Sequence, residues 1–173
     1  MRNLVILSDI HGFSFADPTN TKFLKGFDSI DQLNSIDLAE ISASDPNVRH
    51  NDMVTGGIDV AASKLRSLYP NGIEFALGLS VGGVILWRAA LTGLSIGRLV
   101  CFSSTRLRFE TQVPDCPTRL YFGANDKFRP DTSWVNAAGV EHQLIEGEGH
   151  EFYRTTRAAE ILGHELMRMS DRR

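Results

Sequence analysis

A short apolar run, Ile73-Glu74-Phe75-Ala76-Leu77, meets Gly78-Leu79-Ser80-Val81-Gly82-Gly83 and passes at once into a second apolar stretch that reaches Leu91. The first run has the length and content of a buried strand, and the spacing predicts a helix over 81–91. The chain must therefore turn from strand to helix within a few residues. A turn that tight crowds the positions two before and two after its apex, and glycine at 78 and 82 removes the Cβ atoms that would collide there. Ser80 sits at the apex with its hydroxyl thrown clear of the sheet, and the Val81 N–H points toward the same spot. Gly83 allows close packing of the new helix.

The rest of the chain alternates short apolar runs with longer amphipathic stretches, the pattern of a parallel sheet covered on both faces. Strands are expected at Leu4–Leu7, Ile73–Leu77, Arg98–Phe102, Thr118–Phe122 and Val140–Ile145, with a weaker one at Ser35–Ile41. Helices are expected around Lys22–Ile30, over Ile58–Leu68 before Pro70-Asn71-Gly72, over Val81–Leu91, and from about Tyr153 to Met169. The last has a core stripe of Ala158, Ile161, Leu162, Leu166 and Met169. The expected class is α/β: a doubly wound, mainly parallel sheet of about six strands with helices on both faces. No repeat or linker divides the 173 residues, so residues 1–173 read as one domain.

Charge narrows the function classes. A net charge of −3 provides no basic field to gather a nucleic acid or an anionic membrane. The apolar start at Leu4 is cut by Ser8 and Asp9, and no apolar run approaches the roughly 18 residues of a membrane span. A cytoplasmic protein is expected. Cys101 and Cys116 form neither a disulfide framework nor a metal knuckle, and Cys101 reads as a small core residue.

The strand, Gly-x-Ser-x-Gly and helix resemble the nucleophile elbow of the α/β-hydrolase family, whose triad runs serine, acid, histidine along the chain. The remaining motifs fit. Thr118–Phe122 leads into Gly123-Ala124-Asn125-Asp126-Lys127-Phe128-Arg129-Pro130, similar to the family's acid loop, and Val140–Ile145 leads into Glu146-Gly147-Glu148-Gly149-His150, similar to its base loop. The resemblance thus implies a minimal α/β-hydrolase fold and a serine hydrolase of esterase or thioesterase type. Ser80 is the implied nucleophile, His150 the base and Asp126 the acid that orients it. It further implies that Val81 N–H and Phe13 N–H form the oxyanion hole, with His11 and Gly12 shaping the first loop. His50, His142 and His164, on a polar loop, a strand and a helix, lack motif context. The chemistry calls for no metal and no organic cofactor. Few residues lie between Phe102 and Thr118, where larger members insert a lid, so an open site is expected, with a small-molecule or carrier-bound acyl substrate. Phe13 and Phe128 are candidate pocket aromatics.

Two other readings compete. Leu7-Ser8-Asp9-Ile10-His11-Gly12 is similar to the opening motif of metallophosphoesterases, in which Asp9 and His11 would hold metal, although the later Gly-Asn-His and Gly-His-x-His segments of that family are missing. A hydrolase-like fold can also serve as a binding module with its serine idle.

Overall fold

The structure, a computed structural model, describes residues 2–13 and 26–170. Six parallel strands form one sheet in the order β2-β1-β3-β4-β5-β6: β1 is Asn3–Leu7, β2 Ser29–Leu33, β3 Ile73–Leu79, β4 Ile96–Phe102, β5 Thr118–Gly123 and β6 Glu141–Ile145. The central strands are apolar on both sides because both faces are covered. Val5 and Leu7 point to one core and Leu4 and Ile6 to the other; Leu99 and Cys101 alternate with Val100 and Phe102 in the same way.

The first face carries α1 (Ser35–Leu38), α3 (Ile58–Leu68) and α4 (Val81–Leu91), which bury Ile36, Leu65 and Trp87. Helix α2 (Pro46–Asp52) runs through a π turn, Met53–Gly57, that kinks at Gly56 and leads into α3. Helix α6 (Thr156–Ser170) covers the second face with Ala158, Leu162 and Leu166, while α5 (Thr132–Ala138) connects β5 to β6. Glu165 of α6 is buried against the sheet and accepts hydrogen bonds from Arg98, Arg119 and Tyr121 at 2.8, 2.7 and 2.8 Å. A carboxylate buried so deeply persists only because those donors surround it.

The architecture matches the expected class, with corrections to three of its elements. The Ser35–Ile41 segment is not a strand: Ser35–Leu38 is a short helix whose N-cap, Asn34, accepts from Ile36 N–H at 2.9 Å. The second strand instead occupies Ser29–Leu33, so the helix expected over Lys22–Ile30 cannot extend to its predicted end; residues 22–25 lie outside the described residues. The final helix starts at Thr156, because His150–Arg154 form a 3-10 turn first. Cys101 is fully buried, and that burial pushes its thiol pKa up.

The sheet is wound in two directions from β1. The chain leaves β1 for its neighbour β2 on one side and returns to β3 on the other, which opens a crevice at the carboxyl ends of β1 and β3. The loop after β1 and the turn after β3 both end there.

Candidate active site

Ser80 follows β3 and precedes α4 with φ 50° and ψ −114°, a left-handed backbone rarely adopted by a residue with a side chain. Close packing holds it there. A Cβ on Gly78 would lie 2.2 Å from Gly83 Cα, and one on Gly82 would lie 2.6 Å from the carbonyl oxygens of Leu7 and Ser8. Gly83 brings α4 against β4, since a Cβ there would meet Ser104 Oγ at 2.0 Å. The turn thus wedges the start of α4 between the ends of β1 and β4. It leaves the Ser80 hydroxyl projecting from the crevice.

Asp126 lies three residues beyond β5, with its side chain 1 % exposed. Its Oδ1 accepts the Phe128 N–H at 2.9 Å and its Oδ2 lies 2.7 Å from His150 Nδ1, so both oxygens are engaged. His150 begins the turn after β6 and sets Nε2 3.2 Å from Ser80 Oγ. With Nδ1–H donated to the carboxylate, Nε2 is left to accept from the hydroxyl. The acid and base loops are joined directly: Asn125 N–H donates to Glu148 O at 2.9 Å, and Gly123 allows the approach because a Cβ there would lie 2.2 Å from Gly149 O.

The loop after β1 is tied to the histidine turn by Asp9. This buried carboxylate accepts from His11 N–H at 2.7 Å on Oδ1, and from Tyr153 Oη at 2.8 Å and Arg154 Nη2 at 2.5 Å on Oδ2. Burial and the Asp9 carboxylate together push the Tyr153 phenol pKa up. The Tyr153 ring in turn meets the His150 ring edge-on, 6.0 Å between centroids. A cleft of about 580 Å³ opens beside Ser80 and His150. Ile10, Met53, Val54, Val81 and Val84 supply its apolar wall, and His50, Arg106 and Arg108 lie on its polar side.

No known protein-family profile and no curated protein sequence matches the chain. Solved structures do. A protein of Xanthomonas campestris pv. campestris assigned to the alpha/beta hydrolase superfamily is similar with a TM-score of 0.66 at 14% identity, covering 97% of this chain and 98% of its own. A structure from work on carboxylesterases of the thaumarchaeon Nitrososphaera gargenis gives 0.64 at 12% identity, over 98% and 91%. The NocB thioesterase domain gives 0.57 at 13%, over 98% and 94%.

The chain has the α/β-hydrolase fold. Within it, Ser80, Asp126 and His150 come together on three loops at one edge of the sheet, and Val81 lines the same cleft. The side chain of Phe13 packs against the core that contains Leu4 and Ile6, and Ile10 of the same loop lines the cleft. Phe128 lines the cleft as expected. His11 is exposed, and each oxygen of Asp9 already has a donor, so the Asp9/His11 pair is not arranged as metal ligands in this α/β-hydrolase fold. Among the described residues no cluster of three or more His, Cys, Asp or Glu is placed to hold a metal ion. Among them, too, no helix is long and apolar enough to cross a membrane.

Several cleft residues escape sequence reasoning. His50 lies on α2 rather than in a polar loop, and it lines the cleft. Met53 and Val54 reach it through the π turn, a local widening that often marks functional sites. Arg106 and Arg108 stand on a 3-10 turn, Thr105–Phe109, whose sequence has no motif. Asp45 followed by Pro46, a capping residue and a proline in the first turn, was an available hint that a helix begins there. His142 and His164 are exposed, outside the cleft.

Proposed function

We propose that the chain is a serine hydrolase cleaving a carboxylic ester or thioester through an acyl-enzyme on Ser80. The observation that carries this reading is the unbroken line from Ser80 Oγ through His150 to Asp126, with contacts of 3.2 and 2.7 Å. A serine hydroxyl is a weak nucleophile until a base takes its proton during attack, and His150 Nε2 is within reach to do so.

As the bond from Oγ to the carbonyl carbon forms, the hydroxyl proton passes to Nε2 and the carbonyl electron pair moves onto oxygen. Val81 N–H, at the start of α4, and Ile10 N–H, from the loop after β1, are assigned as donors to that oxyanion. Ile10 takes this role in preference to Phe13 because Ile10 is the one that borders the cleft. The tetrahedral adduct then collapses. The bond to the leaving alcohol or thiol breaks, and the imidazolium returns its proton to that group. Asp126 remains ionised throughout and stabilises the imidazolium. Water repeats the sequence on the acyl-enzyme, releasing the carboxylic acid and restoring Ser80.

Similarity to structures of carboxylesterases and a thioesterase domain supports the reaction class. The NocB domain was captured in covalent complex with a fluorophosphonate analog, a reagent that suits the same test here. The chain is incubated with a fluorophosphonate probe and the modified peptide is mapped. Modification at Ser80 supports an activated nucleophile; an unmodified chain, or modification elsewhere only, favours an idle serine in a binding module.

A further inference from the structure

The cleft has an unbalanced charge. Arg106 and Arg108 border it from the same 3-10 turn, and both guanidinium groups lie against the exposed ring of Phe109, at 5.2 and 4.2 Å from its centroid. Neighbouring Arg88 is neutralised by Asp59 and Glu110, at 2.6 and 2.9 Å. Arg106 and Arg108 have no such partner: neither forms a salt bridge among the described residues. Arg108 donates from Nη1 to the carbonyl oxygens of Thr105 and Phe128, which fixes its plane without cancelling its charge. Among the described residues, the one carboxylate that lines the cleft, Glu151, is exposed and lies 3.5 Å from Arg154, whose closer partner is Asp9, so the two arginines outnumber it on the cleft wall. His50 lines the same cleft.

Two partly buried guanidinium groups of like charge are costly without an anion, and this chain carries them beside its nucleophile despite a net charge of −3. Partial burial and the nearby Arg108 and Arg88 charges lower the Arg106 pKa, against a smaller opposing pull from Glu110, which is itself bonded to Arg88. The missing counter-charge is what a substrate could supply.

We propose that the substrate is an anionic acyl ester or thioester whose carboxylate or phosphate is held by Arg106 and Arg108, while its apolar portion lies against Met53, Val54 and Val84. The proposal rests on the serine hydrolase reading and assigns the substrate class of that site. A planar fork of donors suits an oxyanion group, and cationic side chains on Phe109 are held ready without a large loss of freedom on binding.

The experiment compares matched pairs of substrates. The 4-nitrophenyl monoester of glutaric acid places a carboxylate on the acyl chain, and 4-nitrophenyl pentanoate is its uncharged counterpart. Butyryl 4′-phosphopantetheine places a phosphate on the leaving thiol, and butyryl pantetheine lacks it. For the wild type, kcat/KM should favour the anionic member of one pair by about tenfold or more, and which pair responds identifies the source of the anion. That preference should fall to near unity in the double variant Arg106→Gln/Arg108→Gln, persist in part in Arg106→Lys, and shrink as salt is raised. The ratio within a pair cancels any loss of folded protein in a variant.

The outcomes separate the two readings. Fluorophosphonate labelling at Ser80 with no preference in either pair, or with a preference that survives the double variant, overturns the anion assignment and leaves the hydrolase reading standing. Absence of labelling at Ser80 overturns both.

Discussion

Asp9 and Tyr153 stand 144 positions apart in the chain, and the Tyr153 hydroxyl donates to the Asp9 carboxylate at 2.8 Å in a buried setting. The contact joins the loop after the first strand to the turn that begins with His150. It makes the spacing between the proposed oxyanion loop and the proposed base a property of the folded chain. Arg154 closes the same clasp from the other side of the turn.

Removing the clasp should therefore cost both stability and rate. Tyr153→Phe deletes one buried hydrogen bond and is expected to lower the unfolding free energy by about 1 kcal/mol. Asp9→Asn removes the charge facing Arg154 and should cost about 3 kcal/mol or more. Urea unfolding measures both, and the double variant should cost less than the sum of the singles because they share a partner. Strict additivity would show that the two side chains do not act together. In esterase assays, kcat should fall more than KM rises, since the clasp positions groups that act on the transition state.

Ser80→Ala should abolish turnover, and a comparison with glycine tests the backbone separately. At φ 50° alanine retains the strain of a side chain while glycine does not. Ser80→Gly is expected to be more stable than Ser80→Ala by about 1 kcal/mol in thermal or urea unfolding. The reverse order would mean that the turn is not held under strain.

Gly83→Ala drives a methyl group to within 2.0 Å of Ser104 Oγ and 3.0 Å of Cys101 Sγ. A destabilisation of about 1–3 kcal/mol is expected. The Ser104→Ala background removes the shorter of these contacts and should restore part of the loss. Gly78→Ala collides with backbone instead, so no side-chain change is expected to rescue it. Soluble yield and melting temperature distinguish the two cases, and an equal rescue of both would refute the packing argument.

Alkaline titration reports on the fold through all three tyrosines. Tyr69, Tyr121 and Tyr153 all have raised pKa values, chiefly through burial and then through hydrogen bonds to Asp31, Glu165 and Asp9. Tyr121 is pushed from an ordinary 10.0 up to about 12. A pKa raised on folding means that the native state holds the proton more tightly than the unfolded chain. The resulting stability is fully present below the ordinary pKa and is lost as pH rises from there through the folded value. Tyrosinate absorbance should thus be nearly absent at pH 10 in the native protein and should rise together with unfolding above it. A smooth, half-complete ionisation at pH 10 with native circular dichroism would contradict the buried assignments.

The parts of the chain that were readable in sequence are those with a local cause. The turn at Ser80 needs glycines at 78 and 82 for reasons of a few ångströms, so its signature is compact. Strands β1, β3, β4 and β5 are buried on both faces and announce themselves as apolar runs. Strand β2 is an edge strand of alternating half-buried and exposed residues, Ser-Ile-Asp-Gln-Leu, and carries little of that signal. Ser35–Ile41 looks extended in sequence because its apolar residues are few and closely spaced, although Asn34 before it is a helix-cap cue. The cleft walls were least legible. His50, Met53, Arg106 and Arg108 meet only through tertiary packing, and nothing in their local spacing required them to do so. The loop after β1 was hard to read for the same reason: the Asp9 clasp holds it, and the partners of Asp9 lie far along the chain.

The π turn between α2 and α3 gives the cleft an adjustable wall. Met53 and Val54 reach the cleft from a segment that kinks at Gly56 before α3 begins, so a one-residue insertion or deletion between α2 and α3 would re-aim them. The sheet, the elbow and the histidine turn would be untouched. Substrate preference on this scaffold can therefore drift by small length changes in one helix while the machinery beneath it stays fixed.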